Sequence, residues 1–537
     1  MREQSNDFDV ERDVKVVTRD GVALMTDVYH PVGVDNAPTI LERTAYGRAA
    51  ISMLGAGQAF AQRGYRYVIQ ACRGTDGSGG AHSFFSEAAD GRDAADWIAA
   101  QGWFNGSLGS YGMSYMGYTQ WALASTRPPH LRAMVVALAT TDRTFSWFTG
   151  GSLALEVMIP WNLGALEFNR PARPGVPDGA SQEQAARRMA DLRPAFDHLP
   201  LGDVLRHVAG EDLPLYQQQL AHPSSDDPFW GPLQHRSMLA EWNVPILLIE
   251  GWQDYPLPGV LDDYRALDAA DVGVWLRIGP GGHLGGGGEG ALVDAPLEWF
   301  DNHLRDNPKT GRDRRVTLYI QGTSPGWCEL PDWPPASDLT DWHLHPDGVL
   351  SGDIPPPSIP DEQVYDPTDP TPSVGGIGML TGGVADNASL EARPDVLVYT
   401  STALTGPLLI TGEVRASIEL TTTCDHTDVF VRLCDVHPDG RSFNVCDGLR
   451  RFTPELIQRD AGGVFVADVP LWPTAYRFGA GHRIRVQISG GAHPVYACNL
   501  GTGEPPAIAT EMRAATRRIF HDPTHPSRIV LPHARAS

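Results

Sequence analysis

A serine held at a strand-to-helix corner constrains this chain more than any other feature. The run is Gly112-Met113-Ser114-Tyr115-Met116-Gly117, placed between a strand-like segment (106–111) and a helical one (118–126). So sharp a corner pushes the hydroxyl out of the turn, and the N-terminus of the following helix lies beneath any negative charge that develops beside it. The corner demands a strand before it and a helix after it. The surrounding chain is therefore expected to alternate strand and helix around a buried sheet.

Hydrophobic patterning extends that expectation. Segments 14–18 and 23–29 read as strands paired around Asp20-Gly21, and 38–42, 65–70 and 133–139 as buried strands. Residues 87–101 read as a helix with Ala94, Ala95, Trp97 and Ile98 on its apolar side. Residues 145–240 offer no convincing strand, only helical stretches at 182–192 and 215–220. The alternation returns with a strand at 244–250, a helix at 257–267, a strand at 272–278 and a helix at 291–304. Past residue 345 comes Pro355-Pro356-Pro357, then short alternating strands separated by turns such as Pro438-Asp439-Gly440. The predicted architecture is an α/β-hydrolase core over 1–144 and 241–345, a helical cap inserted at 145–240, and an all-β sandwich or jelly-roll domain over 346–537.

An exposed serine becomes a nucleophile only with a base and an orienting carboxylate, which in such a core follow later strands in the order Ser, Asp, His. The strand at 244–250 runs into Gly251-Trp252-Gln253-Asp254, and the strand at 272–278 into Gly279-Pro280-Gly281-Gly282-His283. Both side chains leave the sheet edge from which Ser114 emerges, so Ser114, Asp254 and His283 are the candidate triad for acyl transfer. The Tyr115 amide is one candidate oxyanion donor. A hydroxyl on the loop Arg43-Thr44-Ala45-Tyr46-Gly47, that of Tyr46, is the second.

These segments resemble the cocaine esterase and X-Pro dipeptidyl peptidase family of serine hydrolases, nearly end to end. The resemblance rests on Met25 to Tyr29 with Pro31, Arg43 to Tyr46, Arg73-Gly74, Gly112 to Gly117, Gln120-Trp121, Gly251-Trp252, Asp254, Gly279-Pro280 and His283. In the C-terminal part it rests on Asp428, Asp435 to Arg441, Gly448 to Arg450 and Gly481 to Arg483. It implies nucleophile Ser114, base His283, acid Asp254, and oxyanion donors Tyr46 and the Tyr115 amide. It also implies an acyl pocket drawing on Trp147, Phe148, Trp161 and Tyr255, and no metal or cofactor. Ester hydrolysis is the expected activity. X-Pro dipeptidyl peptidase and α-amino-acid ester or β-lactam acylase activity are enzyme alternatives, and a carbohydrate-binding β-sandwich with a vestigial hydrolase part is the non-enzyme one.

Composition narrows partners. A formal net charge of −23 argues against nucleic acid and anionic membranes, and mildly favours neutral or cationic substrates; the aromatic pocket that the resemblance implies suits an aromatic or apolar acyl group. No apolar run is long enough to span a bilayer, and the polar start of the chain lacks a signal-peptide core, so a cytoplasmic location is expected. Monomer and homodimer both stay open.

Several signals have rivals. Asp262 and Asp263 compete with Asp254 but fall on the following helix, where solvation is expected. His303 and His343 compete with His283. The string Gln70-Ala71-Cys72-Arg73-Gly74 matches a caspase cysteine signature in an unrelated context and is read as coincidence. Glycines from Gly281 to Gly288 raise the entropy of the loop that carries His283, which predicts a loosely held base.

Overall fold

The computed structural model describes residues 7–168, 192–305, 315–380 and 382–534. Its N-terminal sheet is built from β1 (Phe8–Val17), β2 (Ala23–Pro31), β3 (Thr39–Thr44), β4 (Arg66–Ala71), β5 (Leu108–Met113) and β6 (Leu131–Ala137). Past the interruption, β7 (Ile246–Gly251), β8 (Val274–Gly279), β9 (Val316–Gly322) and β10 (Gly326–Leu330) complete it. Pairing gives the spatial order β1-β2-β4-β3-β5-β6-β7-β8-β9-β10. From β4 to β9 the neighbours are parallel, and the antiparallel pairs lie at the two edges. Strands buried on both faces favour apolar side chains, and every residue of β7 is buried, its apolar run from Ile246 to Ile249 ending in Glu250. Helices Glu87–Ala99, Tyr115–Ser125, Leu257–Ala269 and Asp294–His303 cover the sheet. Tyr115–Ser125 is enclosed on all sides from Tyr115 to Ala124, which explains why it carries no charged residue.

Between β6 and β7 the described residues are mostly helical, with Leu155–Phe168 and Pro214–Ala221 as the longer helices. The expected helix over 182–192 lies, except for Leu192, outside the described residues. One expectation is corrected here. Phe148–Thr149 and Ser152–Leu153 form a small antiparallel hairpin around Gly150-Gly151. The Arg451 amide donates to the Gly150 carbonyl at 2.7 Å, and a Cβ on Gly150 would lie 1.9 Å from the Leu449 carbonyl oxygen. The hairpin is thus stapled to a distant strand, a contact that local patterning does not reveal.

The C-terminal part is mostly β and mostly antiparallel. Its long central strand Thr427–Val436, buried throughout, pairs with Ser442–Phe452 on one side and Arg483–Ser489 on the other. Another strand of this part, Thr474–Phe478, is hydrogen-bonded to the N-terminal sheet: Gln321 and Gly322 at the end of β9 pair in parallel with Tyr476 and Arg477. Among the described residues no helix is long and apolar enough to cross a membrane.

Candidate active site

Ser114 sits between β5 and helix Tyr115–Ser125 with φ 55° and ψ −122°, a strained conformation for a residue with a side chain. Its amide donates to the Ala137 carbonyl on β6, and its carbonyl accepts from Tyr118, closing the first helical turn. Close packing makes both flanking glycines necessary. A Cβ on Gly112 would lie 2.5 Å from the Met116 Cβ, and one on Gly117 would lie 2.6 Å from the Ala139 Cβ. The missing side chain of Gly112 is what admits Met116 where corners of this kind usually carry a small residue.

The imidazole of His283 bridges hydroxyl and carboxylate. Its Nε2 lies 2.8 Å from the Ser114 Oγ, and its Nδ1 lies 2.9 and 3.0 Å from the two Asp254 oxygens. Asp254 is fully enclosed and His283 nearly so. With Nδ1–H donated to Asp254, Nε2 is free to accept the serine proton. Behind Asp254 stands a residue that sequence reasoning missed. Glu250, wholly buried at the end of β7, takes the Gly251 amide on Oε1 at 2.8 Å. Burial, with the adjacent Asp254 charge and a hydrogen bond to it, pushes the Glu250 carboxyl well above the usual range. A protonated Glu250 is then a donor to Asp254.

The Tyr46 hydroxyl adjoins Ser114 and accepts from the Trp161 indole N–H at 3.3 Å. Burial raises its pKa, so it remains a neutral donor. The Tyr115 ring is anchored at the rear: its hydroxyl donates to Glu87 Oε1 at 2.6 Å and meets His82 Nε2 at 2.8 Å, while Arg43 Nη1 donates to Glu87 Oε2 at 2.5 Å. This buried network fixes the side chain of the residue that follows Ser114. The Cys72 thiol only adds a weak contact to Glu87, and burial raises its pKa, so it is no nucleophile.

The glycine-rich loop is held, contrary to the looseness expected of it. A Cβ on Gly279 would lie 1.7 Å from the Gly287 carbonyl oxygen, and one on Gly251 would lie 2.4 Å from that of Gly281. Absent side chains let backbone pack directly on backbone. Side-chain amides add a relay from the C-terminal part. Gln321 Nε2 donates to Thr474 Oγ1 at 3.4 Å, Gln253 Nε2 donates to Gln321 Oε1 at 2.5 Å, and the Gly281 amide donates to Gln253 Oε1 at 3.1 Å.

Of the four pocket residues, one adjoins the triad and one adjoins Tyr46 and Tyr115. Tyr255 packs its ring 4.7 Å from that of His283, and its hydroxyl lies 3.4 Å from Nε2. Trp161 stacks on Tyr115 at 6.3 Å. Trp147 stands behind Trp161, against Phe84 and Arg143. Phe148 packs on Trp230 and Trp147, in the core of the insertion. The rivals fall away: the His303 ring packs tilted against Trp299 at 4.1 Å, and His343 lies in strand Ser337–His345. Asp263 is not solvated as expected but fully buried, accepting from the Thr140 and Thr141 hydroxyls, the Thr141 amide and Arg236. Among the described residues, Asp435, His437 and His482 come close enough together to hold a metal ion, in the C-terminal part. A cavity of about 640 Å³, walled by Leu153, Phe196, His493 and Cys498, contains none of the triad.

A half-buried corner serine, an imidazole and a buried carboxylate on this sheet define a serine hydrolase of the α/β-hydrolase class. Residues 20–285 match the model of the X-Pro dipeptidyl-peptidase (S15) family, and 308–530 match that of the X-Pro dipeptidyl-peptidase C-terminal non-catalytic domain. The cocaine esterase of Rhodococcus sp. (strain MB1 Bresler) is 31% identical over 98% of each chain. The chain belongs to this family of CocE/NonD-type hydrolases. Among solved structures, an aminopeptidase from a marine-sediment Thaumarchaeota archaeon superposes with a TM-score of 0.84 at 25% identity, covering 100% of this chain and 98% of that one. An α-amino acid ester hydrolase does so with the same score and identity, covering 99% and 98%.

Proposed function

We propose that this hydrolase cleaves carboxylic esters through an acyl-enzyme on Ser114, within a core (1–144, 241–345) covered by the 145–240 insertion. His283 takes the hydroxyl proton as Oγ bonds to the ester carbonyl carbon, then delivers it to the leaving alcohol as the ester C–O bond breaks. Water enters by the same steps in reverse and frees the acid. Asp254 holds the tautomer and stabilises the imidazolium. The Tyr115 amide and the Tyr46 hydroxyl receive the oxyanion, and Trp161 with Tyr255 walls the reacting centre.

The observation that carries this reading is the unbroken line Ser114–His283–Asp254, with links of 2.8 and 2.9 Å. A fluorophosphonate probe is expected to label Ser114 alone, by peptide mass spectrometry, and Ser114→Ala to abolish turnover of 4-nitrophenyl esters. Absence of the adduct, or an active Ser114→Ala, defeats the assignment. Measuring the same protein on 4-nitrophenyl esters and on a Gly-Pro anilide ranks esterase against dipeptidyl peptidase activity.

A further inference from the structure

Arg143 opens the short turn Arg143–Ser146 that follows β6, and is only 7% exposed. Its guanidinium lies 4.7 Å from the ring centre of Trp147, 4.8 Å from that of Phe84 and 5.6 Å from that of Trp161. Trp161 is the ring that stacks on Tyr115 and donates to the Tyr46 hydroxyl. The cation therefore stands one ring behind the two groups assigned to the oxyanion, and its charge acts on the hydroxyls of both Tyr46 and Tyr255.

Among the described residues no carboxylate answers this cation. Asp142, its chain neighbour, accepts instead from the Thr144 amide and hydroxyl and from Gln234. Glu87 is engaged by Arg43 and Tyr115, and Asp254 by His283. The Arg143 Nε is shut off from solvent with no acceptor, and so is the indole N–H of Trp147, the ring the guanidinium covers. Contacts with aromatic faces offset part of the cost of removing a guanidinium from water, but leave its hydrogen-bonding capacity unspent.

We propose that Arg143 receives a carboxylate at the far end of the acyl group, so that the preferred substrates are half-esters of dicarboxylic acids. The inference rests on the acyl-enzyme reading of Ser114. The acyl side is the one assigned, because Trp161 connects the oxyanion donors to Arg143, whereas the leaving group takes its proton from His283. The chain's net charge of −23 does not oppose this. Charges beyond roughly 8 Å are largely screened at physiological ionic strength, whereas a buried guanidinium engages a carboxylate directly and with two parallel hydrogen bonds.

The test uses matched 4-nitrophenyl half-esters of succinate, glutarate and adipate, each against its methyl-capped neutral counterpart. Rates are corrected for spontaneous hydrolysis with Ser114→Ala as the blank. The readout is the ratio of kcat/KM, free acid over capped ester, in the wild type, Arg143→Met and Arg143→Lys. General damage to the site lowers both rates and leaves the ratio alone. The wild-type ratio is expected to exceed ten for at least one chain length and to fall as salt is added. Arg143→Met should lower it at least tenfold, mainly through KM, with Arg143→Lys between. A wild-type ratio at or below one for every length, or an unchanged ratio in Arg143→Met, overturns the assignment of Arg143 alone. No turnover of either ester together with no fluorophosphonate adduct on Ser114 overturns the hydrolase reading as well.

Discussion

Replacing Gly279 by alanine is expected to disable the site from a position that touches no substrate. The added Cβ would stand 1.7 Å from the Gly287 carbonyl oxygen, where an ordinary contact begins near 3.4 Å. The two backbone segments must therefore part by about 1.7 Å, and His283 lies on the loop between them. Misplacing a reacting group by about 1 Å costs roughly 100-fold in rate, so kcat/KM on a neutral 4-nitrophenyl ester should fall by about that factor. The 2.8 Å contact between His283 and Ser114 is the link that fails, so fluorophosphonate labelling should slow in parallel. Gly285→Ala supplies the comparison: the nearest atom to its Cβ, the Pro280 carbonyl oxygen, is 3.9 Å away, and its activity should stay near wild type. Far-UV circular dichroism and thermal unfolding establish that both variants are folded when assayed. If Gly279→Ala keeps kcat/KM within about threefold of wild type, or Gly285→Ala loses as much, close backbone packing is not what holds the base.

Tyr46→Phe removes a hydroxyl and little volume. Loss of one oxyanion donor typically costs about 2.7–4 kcal/mol, so kcat should drop between 100- and 1000-fold with KM little changed; a fall confined to KM would assign Tyr46 to binding instead. Glu250→Gln mimics the protonated acid and should keep near-neutral activity, whereas Glu250→Ala should lose it. As pH rises through the raised pKa of Glu250, a second negative charge develops beside Asp254. The wild-type pH–rate profile should therefore decline on its alkaline side while that of Glu250→Gln stays flat, and coincident profiles would contradict this. Burial pushes the Glu42 carboxyl up to about 7, although the Tyr67 hydroxyl donates to it. Its contribution to stability is therefore complete below the unfolded value of 4.5 and is lost as pH rises through the folded one. The gap is worth about 3 kcal/mol. Thermal midpoints measured from pH 5 to pH 8 should converge at pH 5 for wild type and Glu42→Gln and favour Glu42→Gln at pH 8; parallel curves would refute it.

Ser114, Asp254 and His283 were legible because each follows the end of an apolar strand, and strand ends on one edge of a parallel sheet lie close together. What surrounds them was not. Glu250 reads as one more letter of β7, and only burial beside Asp254 gives it a role. Arg143 looks like a turn residue until Phe84, Trp147 and Trp161, drawn from three separate segments, close around it. Asp263 looked solvated because its helix is amphipathic, but Thr140, Thr141 and Arg236 meet it from outside that helix. The glycines after Gly279 suggested freedom since entropy is a local property, whereas the packing of Gly279 on Gly287 is a tertiary one. In the fold, β9 and β10 were not anticipated, and β9 gains much of its definition from pairing with β8 and with a strand more than 150 residues further on.

The glutamine relay from Thr474 to Gly281 has a consequence for the birth of the enzyme. A ribosome will have released Ser114, Asp254 and His283 long before it reaches Thr474, yet the amide that steadies the base's loop is itself steadied by that late-arriving threonine. Alignment of the loop is thus deferred until Thr474 has been made and folded into place, and a chain cut short before that residue would carry Ser114, Asp254 and His283 without the brace.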